Sequence, residues 1–531
     1  MQKNFLALTR QSLQSIILLF GLLQVCFHFD TVNILCVFMA QIGWIITDAY
    51  LFTGINFSKF TLSSVVILGF SITQFLFPTI FTFVDGNALT NNLNFPTDVF
   101  IHSLLGLLVL IVCHKIYTQR VIGNKFNRKI RWQKVLVNYD FFTLPTEKQL
   151  WIMGFIGQIA TIFQMIFTSP SVSAAGDGGT VAAKFLVGFA VFSAAPYFLV
   201  LKRMYGNYDE KPVKKFAFKI AAYTILQIVV GIISNSRGAF MGHLTGLGIC
   251  YFISLLMGKY SIKKVTPFKV VLFFVGLNLI LTPLTDLSLA MVAVRAERKE
   301  VKGLDLVKIT LEAYGDKANI KRLKSTYEKV GSTDDDYSEN YLNSIFLSRF
   351  CNLKFNDNSL ESYIKIGGID NQMQEYAYNR LIAIFPTPFL EFIGVKIDKS
   401  SFTGTSFGDY IYFRAGGPNA LGGLRTGHFA GVGMVTFGWW YLLLLAIGLF
   451  PLYFLFDLFV ICKPQVDYFD NENSQDSTIS LAGLISITLI FTFLGCSTSG
   501  ESITNIFTFL IRGWIQLVAL YIILFKITKL I

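Results

Sequence analysis

Apolar runs of about 17 to 28 residues alternate with short polar connections along most of this chain, at 11–29, 30–52, 60–84, 100–117, 149–168, 184–201, 217–233, 239–257, 269–289, 434–461, 479–497 and 505–526. About 20 residues rising ~1.5 Å each cross a hydrocarbon core of ~30 Å. The pattern therefore predicts twelve membrane-spanning helices, the first two nearly fused. Between Ala290 and Gly433 the alternation stops, and one long polar stretch replaces it. The expected organisation is a bundle of about nine helices over 1–289, a large loop over 290–433 and three closing helices over 434–531. The fold class is an all-α polytopic membrane protein of about twelve transmembrane helices with one large helical loop.

Within the loop, Arg295–Val330 is charged with Leu304, Val307 and Leu311 at helical spacing, which reads as amphipathic helix. Tyr341–Leu353 and Gln372–Phe385 read the same way, and Ser332–Asp336 is a turn. Phe402–Gly433 is different: nine glycines in 32 residues, mixed with Tyr, Phe and Arg, predict irregular backbone able to approach a ligand closely.

Composition agrees with a membrane protein: 53% of residues are hydrophobic, only 15% are charged, and mean hydropathy is +0.55. The net charge of +12 follows from the positive-inside rule and does not call for nucleic acid. With a cytoplasmic N-terminus, the inner segments carry 22 basic residues, including the clusters Arg120–Lys148 and Lys202–Lys215. The short outer segments carry Arg237 and, at an edge, Lys184. Both termini are thus expected inside and the 290–433 loop outside. That loop holds 18 Lys/Arg against 17 Asp/Glu, and long translocated loops do not obey the charge rule. Met1–Phe29 is basic then apolar without a small-x-small cleavage site, so it reads as a retained first helix. Seven cysteines show neither a CxxC nor a Cys/His cluster, so no metal site is expected. The absence of a P-loop argues against an ATP-driven pump.

Arg237 is the sharpest single residue. It stands in Ser234-Asn235-Ser236-Arg237-Gly238-Ala239, a short outer turn opening the eighth span. Ser and Asn cap helices well, and a helix N-terminus beside a planar guanidinium makes an anion site. The competing reading is an Arg that snorkels to lipid headgroups. Arg512 lies several residues inside the twelfth span, where a charge is costly and faces a polar interior; Glu501 is its expected partner. Most loop charges are solvated, but Arg349 and Arg380 stand on otherwise apolar or aromatic helical faces. Arg425 and His428 close the glycine-rich strip in Gly422-Gly423-Leu424-Arg425-Thr426-Gly427-His428-Phe429. A lone His is usually structural, yet His428 sits where the loop re-enters the membrane. Asp334-Asp335-Asp336 reads as a solvated turn.

These features resemble the bacterial O-antigen polymerase family (Wzy-like) and the related O-antigen ligases. The resemblance covers most of the chain as topology. Local matches are the Ser-Arg-Gly signature within Ser234–Ala239 and the strip Gly417–Trp439, which ends in a helix opening Val435-Thr436-Phe437-Gly438-Trp439. Ligases carry a His at a comparable position, matched by His428; polymerases carry an acidic residue near there, and no clearly placed counterpart is evident. Polymerase and ligase both stay open.

The resemblance implies a metal-independent, cofactor-free glycosyltransferase of the bacterial cytoplasmic membrane. It would act on undecaprenyl-diphosphate-linked oligosaccharides at the outer face, with membrane lipids and a chain-length regulator as further partners. Arg237 with Arg349, Arg380 and Arg425 would neutralise the diphosphate leaving group. Arg512 is a further substrate contact, and His428 would be the general base. Tyr410, Tyr412, Phe413 and Trp439 would stack on sugar rings or lipid, although the commoner role of such side chains is an interfacial belt. The alternative from another class is a lipid-linked glycan flippase; twelve helices suit it, but no repeat symmetry between halves is visible and so large an outer loop is unusual for one.

Overall fold

A computed structural model of the chain describes residues 2–52, 55–122, 127–167, 185–206, 214–233, 237–260, 283–291, 293–294, 304–329, 338–399, 405–417, 420–423, 425–463, 476–495 and 498–531. The chain is a helical membrane protein. Seven described helices are long and apolar enough to cross a bilayer: Phe5–Phe27, Thr31–Leu51, Thr61–Val84, Pro96–Val121, Phe216–Ile233, Phe429–Asp457 and Ile503–Leu530. Many of their outward side chains, such as Leu22, Phe38, Val112 and Ile515, are exposed, as a surface facing lipid requires. The inward faces meet around Trp44, Phe70, Phe75, Phe100 and Tyr453, all fully buried.

Local chemistry sets the helix ends and the departures from regularity. Asp30 starts Thr31–Leu51 by accepting the N–H groups of Val32 and Asn33, each at 3.1 Å. Gly69 lets its helix touch the backbone carbonyl of Phe491, a contact that any Cβ would block. Thr61–Val84 widens into a π turn at Ile72–Leu76, which leaves a carbonyl free of its ordinary partner. The Thr73 carbonyl instead accepts the backbone N–H of Asn352 at 3.2 Å, while the Asn352 amide donates to the Thr73 hydroxyl at 2.9 Å. A segment of the long loop is thereby anchored halfway along a membrane-crossing helix.

That anchor introduces an element the apolar pattern does not announce. The Leu353–Ile366 helix is buried over most of its first ten residues, although these include Lys354, Asn356, Asp357, Asn358 and Ser359. Its polar groups find partners in the bundle. The Asp357 carboxylate accepts the backbone N–H groups of Asn94 and Phe95 at 2.9 and 2.8 Å, and pairs with Lys354 at 2.8 Å. The Asn356 amide donates to the Val99 carbonyl at 3.3 Å. So this part of the loop is packed into the bundle.

Other expectations shift as well. The span expected at 479–497 is two short helices, Leu481–Ile485 and Ile487–Phe491, with Ser486 between them. The Ser486 and Thr492 hydroxyls bond back to the carbonyls of Ala482 and Thr488, at 2.7 and 2.9 Å, a habit that bends helices. The tenth span starts at Phe429, breaks at Gly438 with φ of 57°, and ends at Asp457. A two-stranded antiparallel hairpin, Val460–Lys463 with Asp476–Ile479, follows it. The run 184–201 contains a 3-10 helix, Gly188–Val200, around Pro196. The run 149–168 is the Glu147–Phe167 helix and 239–257 is Arg237–Leu256. Most of 269–289 lies outside the described residues.

In the loop, the amphipathic stretch forms two helices, Leu304–Gly315 and Lys317–Lys329, divided at Asp316, whose carboxylate accepts the Asn319 N–H at 2.9 Å. Tyr341–Leu353 holds only a single turn, Ile345–Ser348, whereas Asn371–Ile382 forms close to where a helix was expected. The glycine-rich strip is less irregular than expected, because Phe407–Arg414 is helical.

Candidate functional site at the foot of the loop

The strip is built around a capping box. Ser406 accepts the Asp409 N–H at 2.8 Å, and the Asp409 side chain returns to the Ser406 N–H, starting the Phe407–Arg414 helix. The same Asp409 carboxylate, fully buried, accepts the backbone N–H of Arg425 at 2.9 Å and lies 3.8 Å from its guanidinium. Arg425 is held further by the Ala420 carbonyl at 2.8 Å and lies over the Tyr412 ring, 4.7 Å from its centroid. Gly408 makes this closure possible: a Cβ there would strike the Arg425 carbonyl and lie 2.6 Å from the Gly427 nitrogen.

Two further acids meet the same strip. Glu339 accepts the Thr426 N–H at 2.7 Å and pairs loosely with Arg349 at 3.9 Å. Glu501, 8% exposed, accepts the Phe407 N–H at 3.4 Å. Burial drives the Glu501 carboxyl up to about 8, the nearby Asp409 and Glu339 push the same way, and the Phe407 N–H and Arg380 restrain it. Arg380 donates to the Thr405 carbonyl at 3.4 Å, its guanidinium 5.6 Å from the Phe407 ring centroid and 5.8 Å from that of Tyr376. Tyr376 stacks on Tyr410 with centroids 4.0 Å apart. Arg414 forms a forked pair with Asp370 at 2.6 and 3.1 Å. Burial opposes ionisation of Asp370, but the Arg414 hydrogen bonds and the Met373 N–H hold its carboxyl below the usual range.

His428 lies just below this cluster, 1% exposed. Its backbone N–H donates to Ser359 at 3.0 Å, and its Nδ1 accepts the Ala430 N–H at 3.3 Å, capping the Phe429–Phe437 helix. Its Nε2 faces the Gln74 amide at 3.4 Å, and Gln74 in turn accepts from Ser103 at 3.1 Å. Burial, with the neighbouring His102, pushes the His428 ring down to about 3. The ring is therefore neutral at physiological pH and already engaged at Nδ1.

The structure thus brings Arg349, Arg380, Arg425, Tyr410 and His428 into one region, as their sequence positions alone do not require. Arg512 is apart from it, half-buried in a π turn, Phe509–Gly513, of the last span. The expected Glu501–Arg512 pair does not form. The helix from Ile503 to Arg512 alone rises roughly 13 Å between them, and the carboxylate is engaged by Phe407. Arg237 opens the Arg237–Leu256 helix, but its side chain and the turn Ser234–Ser236 lie outside the described residues. So do Arg295, Arg298, the Asp334–Asp336 turn, and Phe402–Gly404, Pro418, Asn419 and Leu424 of the strip.

Sequence reading missed Asp409, Glu339 and Glu501 as members of the site. The Ser406–Asp409 spacing was a legible capping signal. Glu501 carried only a weak one, an acid just before the Ser502 cap that starts Ile503–Thr508. Chemically, the region offers cations for an anionic group and one buried carboxyl that exchanges its proton near neutrality. Protein-family models, curated proteins and solved structures contain no match to this chain.

Proposed function

We propose that the chain is an integral-membrane glycosyltransferase that polymerises undecaprenyl-diphosphate-linked oligosaccharide repeat units at the outer face of a bacterial cytoplasmic membrane. In this reading twelve spans place both termini in the cytoplasm and the loop outside. The observation that carries it is Glu501: a buried carboxyl poised near neutral pH, with the Arg380 guanidinium acting on it, where the loop helix Phe407–Arg414 meets the head of the last span. A general base works best with a pKa near the working pH. Glu501 takes the proton of the acceptor sugar hydroxyl as that oxygen attacks the donor's anomeric carbon. The bond from that carbon to the diphosphate oxygen breaks, and the lipid diphosphate leaves with the electron pair. Arg425, Arg380 and Arg349, with Arg237, stabilise the charge that develops on it, and no metal or cofactor is invoked. His428 is a positioning residue, which holds the start of the Phe429–Phe437 helix and the end of the strip. The acids beside the loop's end favour repeat-unit polymerisation over transfer to a different acceptor by a ligase.

The test is the purified protein in lipid nanodiscs with a radiolabelled lipid-linked repeat unit and EDTA. Expected are products of two, three and more units with release of undecaprenyl diphosphate, lost in Arg237→Ala and Arg425→Ala. Single transfer to a different acceptor would mark a ligase. Movement of labelled glycan across a vesicle with no new glycosidic bond would sink the transferase reading in favour of a flippase.

A further inference from the structure

The connection that follows the span Pro96–Val121 contains a helix, Asn127–Asn138. Its 12 residues are too few to cross a bilayer, which takes about 20. Three anchors fix it, in order along its length, and each reaches the end of a different membrane-crossing helix. Near its start, the buried Lys129 ammonium lies 5.7 Å from the ring centroid of Phe60, the residue before Thr61–Val84. At its middle, the Gln133 amide donates to the Val460 carbonyl at 2.6 Å, just beyond the end of Phe429–Asp457. Past its last residue, the Tyr139 ring centroid lies 5.4 Å from the Lys526 ammonium, near the end of Ile503–Leu530.

A helix that meets three span ends in succession runs along the plane they define. It therefore lies flat at the bilayer boundary and not along the membrane normal. This boundary is at the end of the bundle opposite the candidate site, because His428 and Glu501 stand at the other ends of two of these spans.

The faces of the helix are sorted to match. Lys129, Gln133 and Leu136 recur at i, i+4 and i+7 and form the face against the bundle, with Lys129 and Leu136 buried. Trp132, 54% exposed, shares one flank with Val135 and Tyr139, both also exposed. Arg131 and Lys134, three positions apart and exposed, project together on the side away from the bundle. The helix carries no acid, and Asp140, which follows it, pairs with Lys529 at 3.7 Å. Water alone gives an exposed Trp, Val and Tyr no favourable place, whereas the headgroup boundary accepts such side chains beside cations.

We infer that Asn127–Asn138 is a membrane-surface helix that selects anionic phospholipid in the leaflet at that end. Trp132, Val135 and Tyr139 enter the boundary between headgroups and acyl chains. Arg131, Lys134 and Lys526 gather the negatively charged headgroups around them.

The test uses the full chain in phosphatidylcholine nanodiscs containing a small, fixed fraction of lipid brominated near the headgroup, a short-range quencher of tryptophan fluorescence. Subtracting the Trp132→Phe signal from that of the unaltered chain isolates the Trp132 emission. Brominated phosphatidylglycerol and brominated phosphatidylcholine are compared at the same fraction. Trp132 quenching is expected to be about fivefold stronger with the anionic lipid, the preference that one basic residue at an anionic surface supplies. With Arg131→Gln and Lys134→Gln together, the two lipids are expected to quench nearly alike. Equal quenching in the unaltered chain, or a preference undiminished in the folded double variant, overturns the proposal. So does a Trp132 emission that neither lipid reaches. Quenching by aqueous iodide would then place the helix in water, and shielding from iodide with two chains per nanodisc would give its exposed face to a second copy. Glycosyl transfer enters none of these readouts, so the result stands apart from the transferase reading.

Discussion

The carboxylate of Glu501, at the head of the last membrane-crossing helix, accepts the backbone N–H of Phe407, the first residue of the loop helix Phe407–Arg414, at 3.4 Å. One hydrogen bond thus ties the loop to the bundle through a carboxyl that burial raises to about 8. The N–H restrains the rise that burial imposes on Glu501, so loop seating and charge state are coupled.

The pH dependence follows. As a base Glu501 must be ionised, so transfer is expected to climb with pH and level off above about 8. Glu501→Gln is expected to be nearly inactive at every pH. Stability moves the other way. The folded chain holds this proton between about 4.5 and about 8 while the unfolded chain has released it, so the carboxyl's contribution to stability is complete below that window and declines as pH rises through it. The melting temperature of wild type relative to Glu501→Gln is therefore expected to fall from pH 5 to pH 8. A constant difference across that range contradicts the assignment.

Arg425 acts through its fork as much as its charge. It is placed by Asp409, the Ala420 carbonyl and the Tyr412 ring, and a lysine cannot reproduce that geometry. Arg425→Lys is expected to lower kcat by about 10²-fold, with a smaller effect on KM, as loss of a contact made mainly in the transition state would. Steady-state assays with the lipid-linked substrate separate the two constants.

Gly408 is a packing test of the same region. Gly408→Ala places a methyl group against the Arg425 carbonyl and the Gly427 nitrogen, and overpacking of this kind costs about 1–3 kcal/mol. Transfer is expected to fall more steeply than stability, because the backbone that must move carries Arg425. Gly315→Ala, where a Cβ meets nothing within 4 Å, is expected to behave as wild type in both thermal melts and transfer assays.

Asp357 supports the bundle itself. Asp357→Asn leaves Lys354, 6% exposed, without its carboxylate partner, and breaking a buried pair costs about 3–5 kcal/mol. A large drop in melting temperature in detergent is expected; a melt equal to wild type would show that the pair is dispensable.

Most membrane-crossing helices were legible because their signal is length and apolarity, which lipid imposes on every such segment. The helix Leu353–Ile366 was not. Its Asn356, Asp357 and Ser359 look like solvated loop residues until their partners at Val99, Asn94, Phe95 and His428 are known, and those lie far away in sequence. The same limit applied to the site. The cations Arg349, Arg380 and Arg425 stood out against apolar neighbours. Glu501 did not, because its character comes from burial beneath a loop helix folded back from residue 407. His428 was conspicuous by position, yet the work its imidazole does in the fold is to cap a helix.

The hydrogen bonds from Asn352 to Thr73 also constrain biogenesis. During synthesis, the helix Thr61–Val84 leaves the insertion machinery long before residue 352 is translated, so its π turn must wait, incompletely paired, inside the bilayer. The interior becomes whole only after residue 352 has been made and has packed against this helix. An arrest of synthesis between those events would strand a polar carbonyl in lipid and expose the nascent chain to quality-control proteases.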